Sequence, residues 1–169
     1  MRCFCLSLFA ALLLLFGGCA TARLTMSASA MEPTIPAGST FAIDADAYED
    51  QDPRRFDIVT FIYRSRTGLR PIQQPPDGAE ICYRIVGLPG ERVEVTAEGL
   101  RINGQPIDLP AGLEVQPAPV SEEYHRYNSV NLPANAYYLL GDNTNKALDS
   151  RYWGFIRRDQ ITGKVVLPE

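Results

Sequence analysis

Ile81-Cys82-Tyr83-Arg84-Ile85-Val86, stopped at once by Gly87-Leu88-Pro89-Gly90, is the stretch on which the fold turns. A run this short, rich in β-branched and aromatic residues and closed by Gly and Pro, reads as a strand rather than a helix. The same pattern repeats outward from it. Upstream, Thr40–Ile43 and Ile58–Tyr63 are further short apolar runs between turn formers, and Ser65–Gly78, with its Pro, Gly and Gln, reads as an exposed loop. Downstream, Arg92–Thr96 alternates apolar and polar residues, Gly99 marks a turn, and Leu100–Ile102 leads into Asn103-Gly104. Asn-Gly is a strong hairpin signal because both residues tolerate φ > 0. Pro106 to Pro119 is Pro-rich and irregular, and Ala136–Leu140 is a last strand before Gly141-Asp142-Asn143. No helix beyond two turns is expected past the N-terminal region, and no repeat is visible. The expectation is a mainly β domain with a coiled, antiparallel, barrel-like sheet.

Composition narrows the chemistry. The chain has 169 residues, 46% hydrophobic and 21% charged, as a globular domain does. Its 16 Lys+Arg against 20 Asp+Glu leave a net charge of −4 and no long basic run, which argues against nucleic acid as a partner. His125 is the only histidine, so a His-rich metal site is excluded. Lys146 and Lys164 are the only lysines, so chemistry that needs a lysine has two candidates. Cys3, Cys5, Cys19 and Cys82 form no Cys-x-x-Cys pair, which fits neither a zinc knuckle nor a disulfide framework. No metal and no cofactor is expected.

The N-terminus reads as an export signal. Met1-Arg2 is a positive start, Cys3–Phe16 is apolar apart from Ser7, and Gly17-Gly18 precede Cys19. Small residues before a Cys resemble a bacterial lipobox, which implies Cys19 as the lipidated first residue of the mature chain. Phe16 stands where the usual lipobox has Leu. The alternative is an uncleaved anchor: Cys3–Ala22 carries no charge over 20 residues, about the length that spans a bilayer. On either reading residues 1–18 are the signal, 19–25 a linker and 26–169 one domain, with a small variable β insertion around 92–135. The domain would then be membrane-anchored in the cell envelope, facing the periplasm or the exterior.

Four segments, in order, resemble the type I signal peptidases, membrane-tethered serine proteases that remove export signals. Ser29-Ala30-Met31-Glu32-Pro33-Thr34-Ile35 resembles the family's nucleophile segment, Ser-Met-x-Pro-Thr-Leu. Tyr83 to Glu91 resembles the Lys-Arg-x-x-Gly-Leu-Pro-Gly segment that carries the general base. Gly141-Asp142-Asn143 with Asp149-Ser150-Arg151-Tyr152-Trp153-Gly154 resembles the last box, and Asp57-Ile58-Val59 the Gly-Asp-Ile-Val strand, with Phe56 in place of Gly.

The resemblance implies a Ser–Lys dyad, in which a lysine made less basic by burial takes the serine proton. Here the nucleophile position is Ala30 and the base position is Tyr83, a phenol with an ordinary pKa of about 10. Supporting hydroxyls of some members fall at Ala28 and Ala147. Ser29 and Ser27 flank the empty position, but alternation along an extended segment turns them from the cleft. Cys82 faces away from Tyr83 by the same rule. Lys146 is the one lysine that could approach the cleft, and His125 lies in the region where the family varies most. Asp149 and Arg151 match a bracing pair and share a face in an extended stretch. Leu24, Met26, Met31, Ile35, Ile81 and Cys82 fall along the family's substrate groove.

Loss of nucleophile and base together points to a pseudoprotease: a non-catalytic relative that binds an extended peptide or a protein partner in the envelope. Two rivals stand beside it. One is an active endopeptidase processing export signals with substitute groups; the other is a structural lipoprotein domain.

Overall fold

The computed structural model describes residues 22–67, 74–117 and 127–167. The expected export signal, Cys19 and His125 lie outside the described residues. In chain order the strands are β1 (Ala22–Thr25), β2 (Thr40–Asp44), β3 (Ile58–Ile62), β4 (Glu80–Gly87), β5 (Arg92–Thr96), β6 (Gly99–Ile102), β7 (Gln105–Pro106), β8 (Ser129–Asn131), β9 (Ala136–Leu140), β10 (Ile156–Arg157) and β11 (Ile161–Val166). One α-helical turn, α1 (Ser150–Trp153), and 3₁₀ turns at Ser29–Met31 and Arg158–Gln160 complete the described residues. The domain is mainly antiparallel β, as the short alternating runs require.

Seven strands form the main sheet in the order β1-β2-β11-β3-β4-β9-β10, and β7-β6-β5-β8 form a second sheet. β9 is the wall between two cores, which explains its unbroken apolar run. Tyr137 and Leu139 enter the larger core beside Phe61, Ile85 and Trp153. Tyr138 and Leu140 enter the smaller one beside Val93, Val95, Leu100 and Ile102 from the second sheet. β5 alternates because only one of its faces is covered. Asn103 and Gly104 adopt φ of 51° and 81°, the tight turn their identity dictates between β6 and β7.

Two positions are set by backbone demands. A Cβ on Gly87 would lie 2.4 Å from Val93 Cγ2 and 2.9 Å from Tyr138 Cβ, so the join between the sheets admits no side chain. Phe56 sits at φ 72°, left-handed space that a bulky residue rarely enters. That is where the resembling segment has Gly.

The N-terminal boundary differs from the expected linker 19–25. Ala22–Thr25 pairs with β2 from Ala22↔Ile43 to Thr25↔Thr40. Leu24 packs against the large core, which draws this stretch into the sheet. The Asp149–Arg151 stretch is not extended either. Asp149 caps α1 through a carboxylate that accepts the Arg151 N–H.

Candidate functional site

Three segments distant in sequence meet around Gly141. A Cβ there would lie 2.5 Å from the Ala30 carbonyl oxygen, 2.5 Å from Ala147 Cβ and 3.2 Å from Tyr83 Cε1. The Asn143 N–H donates to that same Ala30 oxygen at 3.0 Å, tying the 3₁₀ turn to the loop after β9. The structure therefore brings Ala30, Tyr83 and Ala147 together. Ala30 and Ala147 are buried methyl groups without a nucleophilic oxygen. Tyr83 Oη donates to the Leu148 carbonyl at 3.2 Å, an oxygen that also accepts Trp153 Nε1 at 2.8 Å. Burial, reinforced by the Asp149 charge, pushes the Tyr83 phenol far above its ordinary value. At neutral pH this hydroxyl holds its proton and already spends it on Leu148, so it is a donor and not a base.

Two buried guanidinium–carboxylate pairs brace the centre. Arg151 Nε and Nη2 reach the Asp149 oxygens at 2.8 and 3.0 Å, and the Gly141 N–H donates to Asp149 Oδ2 at 3.1 Å. Arg151 also donates to the carbonyls of Gln116, Thr144 and Ala147. Burial raises the Asp149 carboxyl pKa, although Arg151 and the amide donors pull the other way. The second pair, Arg84–Asp142, is bidentate at 2.7 and 2.6 Å. The Thr34 hydroxyl donates to Asp142, and Arg84 Nη1 donates to the Phe56 carbonyl at 3.0 Å. Thr34, Arg84 and Asp142 were given no role from sequence. Their signal was present, since each lies inside one of the matched segments.

An open cleft of about 240 Å³ adjoins Ala30 and Tyr83. It falls short of the roughly 300–1,000 Å³ of small-molecule pockets, and its walls are strand segments rather than an enclosing bowl. Leu24, Met26, Ala28, Ile81 and Cys82 line it, as do Ser27, Pro75 and Pro76. Met31 and Ile35 do not line it: both are buried in the large core, Met31 as the last residue of the 3₁₀ turn and Ile35 four residues beyond it. Ser27, expected to point away, does line it, since the extended alternation ends where that turn begins.

Both rims carry unpaired main chain. Ile85 bonds toward β3 through Asp57 O at 2.9 Å and the Phe56 N–H at 2.7 Å. Antiparallel alternation then turns the main-chain groups of Cys82 and Glu80 to the other edge, where β9 pairs only from Arg84 onward. On the facing rim Met26 bonds toward β2 through Ser39 O and the Gly38 N–H, which turns those of Thr25 and Ser27 outward.

The substitute groups are poorly placed. Ser29 is half-buried in the 3₁₀ turn and does not line the cleft. Burial pushes the Cys82 thiol up to about 12, so it is no thiolate at neutral pH. Lys146 is largely exposed, with Nζ 3.9 Å from Glu32 Oε2. Lys164 lies on β11 and pairs with Asp57 at 2.7 Å. Among the described residues no cluster of His, Cys, Asp and Glu could hold a metal ion, and no helix is long and apolar enough to cross a membrane.

Comparison with known proteins points to one family. The family profile described as signal peptidase, peptidase S26, matches residues 1–168. A signal peptidase I of Leptolyngbya laminosa is 33% identical over 137 residues, covering 81% of this chain and 63% of its own length. A probable signal peptidase I-2 of Synechocystis is 33% identical over 136 residues, 80% of this chain and 57% of that relative. The chain thus spans less than two thirds of the length of these curated relatives. The crystal structure of a signal peptidase I from Enterococcus faecalis superposes with a TM-score of 0.49 at 27% identity, over 69% of this chain and 98% of that one.

Proposed function

We propose that this chain, which belongs to the signal peptidase family, peptidase S26, is a non-catalytic member that holds an extended peptide in its cleft. The observation that carries the reading is the contrast within one site. Ala30 has no oxygen to attack with, and the Tyr83 hydroxyl is committed to Leu148, while the rims keep main-chain donors and acceptors for an added strand. An extended peptide pairing with Cys82 or with Ser27 gains its affinity from main-chain hydrogen bonds that need no dyad. The site would sit at a membrane of the cell envelope, held by a lipid on Cys19 or by an uncleaved Cys3–Ala22 anchor. Its partner would be an exported chain in extended form.

The test is cleavage of a preprotein by wild type, Ala30→Ser, and Ala30→Ser with Tyr83→Lys. Wild type and the single variant should cut no faster than background, because the new hydroxyl still lacks a base. The double variant should gain measurable cutting, since the bracing pairs and the Gly141 turn are already in place. Brisk cutting by wild type would sink the reading. A second reading, an active peptidase with a displaced nucleophile, draws on Ser27 lining the cleft. It predicts wild-type cutting that Ser27→Ala abolishes.

A further inference from the structure

The cleft does not end at its own walls. Pro75 and Pro76 line it and also line a neighbouring hollow with Ser65. Ser65 in turn lines a pocket of about 240 Å³ whose charged members are Arg64, Arg66 and Arg157. The three hollows are thus neighbours, linked in turn through Pro75 and Pro76 and through Ser65. This chain is acidic overall, at −4, yet no carboxylate lines the arginine pocket. Among the described residues none of the three arginines has an acidic partner. Asp77, the nearby carboxylate, accepts the Ser65 N–H at 2.7 Å instead.

Arg66 is held in place rather than free. Its Nη1 donates to the Trp153 carbonyl at 3.2 Å, and its guanidinium lies 5.0 Å from the Phe155 ring centre. Arg157 donates to the Asn135 side chain at 3.5 Å, and both Arg157 and Arg64 are exposed. Guanidinium groups around a hollow that no described carboxylate lines are matched by a carboxylate, which can accept two parallel N–H bonds from one of them.

We infer that the peptide held in the cleft carries an acidic side chain, placed beyond the segment that pairs with β4, which seats in this arginine pocket. The inference rests on the peptide-binding reading above and adds the chemistry of the peptide to it.

The probes are two sets of short, extended Ala/Val/Ser peptides. One set carries a single Glu stepped through successive positions, and the other carries Gln at the same places. Affinity for the full-length protein in detergent is read by fluorescence anisotropy. In at least one register the Glu peptide should bind about tenfold tighter than its Gln twin at low salt. The gap should shrink at high salt and collapse in an Arg64→Gln, Arg157→Gln double variant, both residues being exposed and outside the cores. Equal binding of every Glu and Gln pair overturns the acidic requirement and leaves the cleft reading standing. No binding by either set overturns the cleft reading and this one with it. Capture by phosphatidylglycerol vesicles that is lost in the double variant, without any Glu preference, assigns the pocket to lipid headgroups and overturns the inference.

Discussion

The two faces of Gly141 have fared differently. On one, Ala30, Ala147 and Tyr83 supply methyl groups and a phenol already bonded to Leu148. On the other, Asp149 and Arg151 keep a bidentate pair, with Gly141 itself donating to the carboxylate. Each face has a different reason to persist. A nucleophile and a base do nothing for stability, so on the non-catalytic reading nothing would hold them. A buried ion pair is different, because losing one partner strands the other charge. The fold depends on the bracing whether or not the site cuts.

That contrast can be broken most sharply at Asp149. Asp149→Ala leaves the buried Arg151 guanidinium without its carboxylate and should cost about 3–5 kcal/mol in urea unfolding. A loss under ~1 kcal/mol would mean that the pair is dispensable and the contrast false. At Tyr83 the expected cost is smaller. Tyr83→Phe removes one bond to an oxygen that keeps Trp153 Nε1, at a cost of about 0.5–1 kcal/mol, with no change in any peptide-cutting assay. A change in cutting would restore Tyr83 to the chemistry. The smallest effect lies outside both faces. Burial raises the Asp57 carboxyl, but Lys164, the Arg54 N–H and the Tyr48 hydroxyl outweigh it and hold it below its ordinary value. That contribution is present above the unfolded pKa of roughly 3.9 and is lost as pH falls through the lower, folded one. Between pH 7 and pH 3 wild type should therefore lose more stability than Lys164→Met. The difference should stay under about 1 kcal/mol, because Lys164 is well exposed. Equal losses would show Asp57 to be uncoupled from Lys164.

Much of this was legible in the residues. Ile81–Val86 and Ala136–Leu140 declared their strands because short apolar runs closed by Gly and Pro leave little choice. The Ala30 and Tyr83 substitutions were visible because they interrupt otherwise matching segments. Local geometry was harder to read. Ser27 and Ser29 were assigned sides by strand alternation, but the chain turns into a 3₁₀ turn at Ser29, where that rule lapses. The same turn buries Met31. Arg84, Asp142 and Thr34 come from three separate segments, and no periodicity within any one of them announces that they meet. Phe56 showed as a departure from Gly, but its meaning, a left-handed backbone filled by a bulky residue, emerges only in the fold.

The edge of β4 that β9 leaves uncovered, at Glu80 and Cys82, has a kinetic consequence. A protease empties its cleft by severing the guest, so turnover sets how long each visit lasts. On the proposed non-catalytic reading the cleft would release its guest only by dissociation, and residence time would be the quantity on which selection acts. An exposed strand edge also offers itself to a second copy of the same chain. Pro75 and Pro76, standing at the mouth with no amide hydrogen to give, make a poor template for such self-pairing.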